Sequence, residues 1–236
     1  MSSSTKSRSS IIDLTHPLDP DKITIYPGDH NFSCCPTSTV AQDGYSVHSL
    51  SLGTHTGTHI DAPSHFILNG ATIDQIPLDA LISRPAIVVD LTYKEAGTKI
   101  LWDDDLAKYE SKMKEGTILL LYTGWSAHWA TPAYMKYPYL DRDAAERIIS
   151  TGLKIIGSDT LSPDEIDGPE GYGVHLAILG AGGLIVENMT NLKALVELEA
   201  EGGTDSELSV SIIPLSLPKC DGSPVRAFGW KRRRSM

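Results

Sequence analysis

TILLLY at residues 117–122, AIVVDL at 86–91 and LKIIG at 153–157 are three short apolar runs. Their interiors lack the polar and apolar alternation of a strand with one face in water. Runs of this kind are typical of strands that are buried on both faces at the centre of a sheet. We therefore predict that these three strands form the core of the fold.

Helical segments separate the predicted strands. In DRDAAERIISTG, residues 141–152, acidic side chains occupy the first turn, Ile148 and Ile149 form an apolar face, and Gly152 follows the end. Alternation of strands and helices predicts an α/β protein. Further strands are predicted at 11–15, 45–52, 184–187 and 208–215, and further helices at 103–113, 175–179 and 190–196.

Length and charge limit the architecture and the partners. The 236 residues suffice for one domain with a substantial core but are too few for two, and no apolar run is long enough for a membrane helix. The net charge of -10 argues against nucleic acid or an anionic membrane as partner. We expect a disordered tail at 1–10 without a signal peptide, a domain at 11–230, a basic tail at 231–236, and a cytoplasmic location.

The run HTGTHIDAPSH at 55–65 holds three histidines and one aspartate within eleven residues. Imidazole nitrogen and carboxylate oxygen together suit zinc, manganese or ferrous iron, and a set of three ligands leaves positions open for water. A single histidine would be read as an ordinary core or surface residue. The density of this run instead predicts a catalytic metal site with His55, His59 and Asp61 as ligands.

The backbone of this run cannot be one regular element. In a helix Asp61 would point away from His59, and in a strand the Cα atoms of His55 and His59 would lie about 13 Å apart. We predict a turn from His55 to His59 followed by an extended step to Asp61, which Gly57 and Pro63 permit.

His65 is the candidate proton shuttle. A divalent cation acidifies a coordinated water until hydroxide is available near neutral pH, but a base must still move protons. The ordinary pKa of histidine lies closest to working pH, which favours His65 in that role.

An aromatic segment, WSAHWATPAYMKYP at 125–138, follows the central strand. It is interpreted either as a loop that lines a pocket, which would place Trp125 near a substrate, or as a packed loop that covers the sheet. The sequence leaves both interpretations open.

HTGTHIDAPSHF at 55–66 resembles the HxGTHxDxPxH signature of the cyclase family of metal hydrolases, which includes bacterial-type kynurenine formamidases and isatin hydrolases. Further blocks resemble that family in the same order, from about residue 11 to about 218. These are YPGD at 26–29, YTGWS at 122–126, GSDT at 157–160 and HLAILGAGGLIVENMTNL at 175–192.

The resemblance implies roles for individual residues. His55, His59 and Asp61 would bind a first metal, and His65 would donate and accept the proton. His175 and Glu187 would help to hold a second metal, with Asp61 and Glu187 shared between the ions. Members with one metal are known, so the expectation is one or two divalent ions, zinc or manganese, per subunit.

The resemblance also implies a fold, an assembly and a substrate class. The fold would be a single α/β domain around a mixed, barrel-like sheet with flanking helices, assembled as a homodimer or higher homo-oligomer. Tyr26 replaces the Trp that formamidases usually carry before PGD, and it can still stack on an aromatic substrate. Tyr26 and Trp125 are the expected substrate-binding residues.

The predicted function is metal-dependent hydrolysis of an amide-type C–N bond in a small aromatic substrate. Two alternatives use the same residues. A metal-dependent cyclase or dehydratase would move a proton through His65 without consuming water, and a metal-binding protein without catalysis would need no base.

Overall fold

A mixed sheet of eight strands organises the computed structural model, which describes residues 11–201 and 206–233. The strands are β1 Ile12–Asp13, β2 Ser33–Ser38, β3 Val47–Ser51, β4 His59–Asp61, β5 Arg84–Asp90, β6 Lys99–Ile100, β7 Ile118–Tyr122, β8 Tyr139–Leu140, β9 Ile155–Ser158, β10 Leu184–Glu187, β11 Ser206–Pro214 and β12 Gly222–Arg233. The α-helices are α1 Val40–Asp43, α2 Arg142–Ser150, α3 Gly173–Gly180 and α4 Leu192–Ala200.

The main sheet closes on itself. Its order is β1-β12-β11-β5-β7-β9-β10-β4, and β4 also pairs with β12, so seven strands form a barrel. The neighbours β5, β7, β9 and β10 run parallel, whereas the other pairs are antiparallel. The expectation of a single α/β domain around a mixed, barrel-like sheet is confirmed. Two small sheets, β2-β3 and β6-β8, lie outside it.

The three apolar runs form the centre of this sheet, as predicted. Ile118, Leu119 and Leu120 on β7 are all fully buried. Leu120 belongs to a core cluster that includes residues of α4, and Leu119 belongs to a second cluster that includes residues of α2 and α3. The sheet is therefore covered on both faces, which explains why its central strands show no alternation.

The two predicted helices that flank the central strands have different outcomes. Helix α2 agrees with the prediction, and the side chain of its N-cap residue Asp141 accepts a hydrogen bond from the Asp143 amide. The segment predicted as a helix at 103–113 is instead a π-helical turn, Trp102–Leu106, followed by a 3-10 helix, Ala107–Lys112. The buried Asp105 carboxylate accepts hydrogen bonds from the Leu101 amide and from Tyr93, which fixes the irregular turn.

The last strand corrects the expected boundary at residue 230. Strand β12 runs to Arg233, and its Arg232 pairs with Glu207 of β11, with Nη2 and Oε1 2.8 Å apart. Residues 231–233 therefore belong to the sheet. The rest of the predicted basic tail and the predicted tail at 1–10 lie outside the described residues. Within the described ranges, no helix has the length and apolar character needed to cross a bilayer.

Candidate metal centre

Strand pairing brings the first predicted ligands together. His59 on β4 lies directly opposite Glu187 on β10, and Asp61 lies two residues further along the same strand. Side chains two residues apart share a face of a strand. Ile60, between them, points to the other face and is fully buried in the core. The ladder therefore places two carboxylates and one imidazole on one face.

A tight turn before β4 adds His55 to this group, with its Nδ1 2.8 Å from Asp61 Oδ1. Gly57 has φ +66°, and a Cβ at that position would lie 2.5 Å from Leu18 Cδ2, so glycine is favoured there. The Gly57 carbonyl accepts a hydrogen bond from His59 Nδ1 at 2.8 Å, which leaves His59 Nε2 free to bind a metal. The predicted turn followed by an extended step is confirmed.

His175 approaches from helix α3. Its Nδ1 donates a hydrogen bond to Asp164 Oδ2 at 2.6 Å, which leaves Nε2 as the free nitrogen. Asp164 also accepts the amides of Val174 and His175 itself, so this carboxylate fixes both the ring and the start of the helix. Asp164 was not predicted from the sequence, although a carboxylate shortly before a helix that carries a candidate ligand is a usable signal.

The free atoms have the separations expected of metal ligands. His59 Nε2 lies 3.3 Å from Asp61 Oδ1 and 3.3 Å from Glu187 Oε2, while His175 Nε2 lies 3.6 Å from Asp61 Oδ2 and 3.4 Å from Glu187 Oε1. Two atoms bound to one tetrahedral zinc lie about 3.3 Å apart, given bonds of about 2.0–2.1 Å. Each carboxylate thus presents one oxygen to His59 and the other to His175.

Two of these oxygens have no hydrogen-bond partner among the residues that the structure describes. Asp61 Oδ2 and Glu187 Oε1 are buried, and both carboxylates are nearly or fully inaccessible to solvent. A buried carboxylate oxygen without a partner is costly. A cation between these oxygens and the imidazoles would remove that cost, so the donor set fits a divalent metal.

The carboxylates change the proton affinity of the imidazoles. Burial lowers the pKa of His55, but hydrogen bonds to Asp221 and Asp61 outweigh it and raise the pKa to about 9. Burial likewise opposes protonation of His59, yet Asp61 and Glu187 raise its pKa to about 10. The cluster therefore attracts positive charge, which in the metal-free protein is carried by protons.

His65 ends a 3-10 helix, Pro63–His65, that follows β4. Its Nδ1 donates to Asp221 Oδ2 at 3.1 Å, and the same oxygen lies 3.1 Å from His55 Nε2. Asp221 immediately precedes β12, where a Cβ at Gly222 would lie 2.8 Å from the Ile60 carbonyl oxygen. Asp221 was not predicted from the sequence, because strand β12 itself was not predicted.

All the predicted ligands and His65 line one cavity of about 170 Å³, except Asp61, which is buried behind its wall. Aromatic side chains of Tyr26, Phe66 and Tyr172 form part of this wall. The other lining residues are Thr24, Asp29, His55, His59, His65, Leu161, Ser162, His175, Glu187 and Asn188.

The two predicted substrate-binding residues differ in position. Tyr26 lines the cavity, but Trp125 is not among the lining residues. Trp125 packs against an aromatic cluster with the buried Tyr134 and Tyr137 from the same segment. The segment 125–138 therefore covers buried structure beside the cavity, and a direct role of Trp125 in substrate binding stays a prediction.

Comparison with known proteins gives one family match and many relatives. Residues 12–165 match the Cyclase family, described as "Putative cyclase". The kynurenine formamidase of Geobacillus thermodenitrificans (strain NG80-2) is 33% identical over 219 residues, which cover 92% of this chain and 95% of that protein. The kynurenine formamidase of Bacillus cytotoxicus is 30% identical over 220 residues, with coverage of 92% and 95%.

Solved structures share the fold. Isatin hydrolase A from Labrenzia aggregata, bound to benzyl benzoate, superposes with a TM-score of 0.78 and 27% identity over 94% of this chain and 93% of that chain. An isatin hydrolase bound to the product analogue thioisatinate gives a TM-score of 0.79 at 21% identity, with coverage of 95% and 92%. At that identity the second likeness concerns the fold alone.

Proposed function

The chain belongs to the cyclase family of metal-dependent hydrolases, and from that premise we propose that it hydrolyses an amide-type C–N bond in a small aromatic substrate. The main support is that His59, His175 and the buried carboxylates of Asp61 and Glu187 converge at one wall of the cavity that His65 also lines. The names of its relatives, kynurenine formamidase and isatin hydrolase, support an aryl formamide or a cyclic aryl amide as substrate.

The metal centre is proposed to hold two ions of zinc or manganese. His55, His59 and Asp61 would bind the first, and His175 and Glu187 the second, with both carboxylates shared. The support is that each carboxylate directs one oxygen to His59 and the other to His175. When bound, a divalent cation supplies Lewis acidity, which makes water more acidic and polarises the carbonyl of the substrate.

His65 is proposed to transfer the proton. Because its Nδ1 donates to Asp221, its Nε2 is the nitrogen that can accept a proton. Nε2 would take a proton from the attacking water and deliver it to the departing amine nitrogen. The products are then a carboxylic acid and an amine, or a single ring-opened molecule when the amide is cyclic.

The cavity supports one aromatic ring as the bound group. Its volume of about 170 Å³ is close to that of an apolar cavity that holds benzene, about 150 Å³. Tyr26, Phe66 and Tyr172 can contact the faces and edges of such a ring. Trp125 is proposed to contribute to substrate binding from the adjacent aromatic cluster.

The test is turnover by metal-stripped protein reloaded with zinc or manganese. N-formylkynurenine, formanilide and isatin are the substrates, and His65→Ala is the test variant. His48→Ala, which removes an exposed imidazole from β3, is the matched control. We expect hydrolysis that depends on metal and on His65 but not on His48. No turnover of any of these amides with either metal would contradict the proposal.

The same assay separates the alternative reactions. Hydrolysis incorporates one oxygen atom of solvent into the product, whereas a cyclase or dehydratase incorporates none. Reaction in ¹⁸O-labelled water, followed by mass spectrometry of the product, therefore distinguishes them. A protein that binds metal without catalysis would show no product at all.

A homodimer or higher homo-oligomer is also proposed. The β2-β3 hairpin is not part of the barrel, and its side chains Val47 and Leu50 are 47% and 57% exposed. An isolated two-stranded sheet is marginally stable, and exposed apolar groups on it indicate a contact surface. Light scattering should show a single oligomer that Leu50→Asp dissociates; a wild-type monomer would contradict the proposal.

The remaining partners follow from the cavity and from charge. Besides a second copy of this chain, the proposed partner is a small-molecule substrate. A net charge of -10 disfavours nucleic acid and anionic membranes. A cytoplasmic location is also proposed, on the basis of the similarity to kynurenine formamidases.

A further inference from the structure

A turn at the mouth of the cavity presents an acidic side chain. The Asp29 amide donates to the Tyr26 carbonyl at 3.0 Å, and Gly28, between them, has φ +97°. Pro27 followed by a glycine of positive φ is typical of a type II turn. Because this turn reverses the chain, Tyr26 and Asp29 both line the cavity.

The charge of Asp29 is not balanced by its surroundings. Its carboxylate forms no hydrogen bond or ion pair with another described residue. Among the described residues that line the cavity, none is Lys or Arg. The other acidic lining residue is Glu187, whose oxygens face the imidazoles of His59 and His175. Asp29 is thus the acidic lining residue whose carboxylate has no ion pair with a described residue.

This imbalance concerns the part of a substrate that does not react. A substrate placed with its amide at the metal centre and its ring against Tyr26 would direct a ring substituent toward the same turn that carries Asp29. A cationic group there gains attraction to the carboxylate, and an anionic group is repelled. A neutral group experiences neither effect.

We propose that Asp29 determines specificity and selects aromatic amides that carry an ammonium group on the side remote from the scissile bond. This inference rests on the proposed function, because it takes the amide to lie at the metal centre. The inference itself concerns a different property, namely the sign of the charge that the cavity accepts on a bound molecule. Carboxylate-bearing aryl amides without an amine are the disfavoured class.

The first test compares three formanilides that differ in one ring substituent. The 3-aminomethyl compound is cationic, the 3-hydroxymethyl compound is neutral, and the 3-carboxylate is anionic. For metal-loaded protein at low salt we expect kcat/KM about tenfold higher for the cation than for the neutral compound, and lowest for the anion. In 0.5 M salt the ratio should shrink, because mobile ions screen exposed charges.

Two variants assign the effect to Asp29. In Asp29→Asn the ratio of kcat/KM between cation and neutral compound should fall below about twofold. Asp104→Asn removes another exposed acidic group far along the chain, outside the cavity lining, and should keep the wild-type ratio. Equal rates for cation and neutral compound in the wild type, or an unchanged ratio in Asp29→Asn, would overturn the proposal.

A binding measurement keeps the inference testable if no formanilide is hydrolysed. Benzyltrimethylammonium has no nitrogen lone pair and cannot ligate a metal, so its binding reports attraction to an anionic wall. Calorimetry should show at least about fivefold weaker binding to Asp29→Asn than to wild type and to Asp104→Asn. Absence of turnover with retained Asp29-dependent binding would reject the proposed function alone. Binding that does not depend on Asp29 would reject this inference.

Discussion

His59 and Glu187 lie opposite each other on paired strands, and His59 Nε2 and Glu187 Oε2 are 3.3 Å apart. Strand β4 is central to the sheet here, since it pairs with β10 on one side and β12 on the other. The ligands on β4, His59 and Asp61, are therefore held by backbone hydrogen bonds on both sides. Such rigidity matters because metal affinity depends on ligands that are placed before the ion arrives.

Glu187→Gln is expected to remove one of the two proposed ions. The amide cannot offer two anionic oxygens, one toward His59 and one toward His175. Elemental analysis should show metal content per chain falling by about half, and kcat should fall about 100-fold or more. Glu197→Gln, an equivalent change in helix α4, should retain the wild-type metal content.

The metal-free protein is expected to lose stability as the pH rises from about 7 to 10. The pKa values of His55 and His59 are raised to about 9 and about 10 in the folded state, above the ordinary value of 6.5. Protonation therefore favours the folded state, fully below about pH 6.5, and this contribution is lost as the pH passes the raised values. Thermal unfolding in the presence of a chelator measures it.

Metal binding should have the opposite dependence on pH. The imidazoles must lose their protons to bind a cation, so affinity should rise with pH by up to about tenfold per unit for each proton released. Calorimetry in buffers with different ionisation enthalpies counts those protons. Binding without proton release at pH 7.5 would show that His55 and His59 are not the ligands.

Local patterns revealed the parts of the fold and site that lie close together in sequence. The apolar runs of β5, β7 and β9 identify buried strands because both sheet faces are covered. His55, His59 and Asp61 are recognisable because one turn and one short strand bring them together. Their spacing alone excludes both a continuous helix and a continuous strand.

Long-range contacts were not predictable in the same way. Asp221 meets His65 across 156 residues of sequence, so no spacing could relate them. The strand that positions Asp221, β12, contains Pro224 and Gly229 and ends in basic residues, which hide its strand character. His175 and Glu187 could be assigned to the metal only through the family resemblance.

Asp221→Asn is expected to lower kcat about 10- to 100-fold with little change in KM. The carboxylate orients His65 by accepting a hydrogen bond from its Nδ1. Loss of such a partner of a functional histidine commonly has an effect of this size. Kinetics must be combined with elemental analysis, because the same oxygen contacts His55. A loss of activity that only follows loss of metal would contradict a role in orienting His65.

Gly57→Ala is expected to destabilise the protein by roughly 1–3 kcal/mol, because alanine is strained at positive φ and its Cβ would contact Leu18. Two causes contribute, and a second substitution separates them. In the Leu18→Ala background, Gly57→Ala still strains the backbone but no longer meets Leu18 Cδ2. Gly57→Ala should therefore cost less stability in that background than in the wild type, but not zero. Urea unfolding of the wild type, the two single variants and the double variant measures the contributions of the contact and of the backbone strain. Metal affinity should fall in parallel, since the Gly57 carbonyl orients His59, and full recovery of stability would show that the turn itself is unstrained.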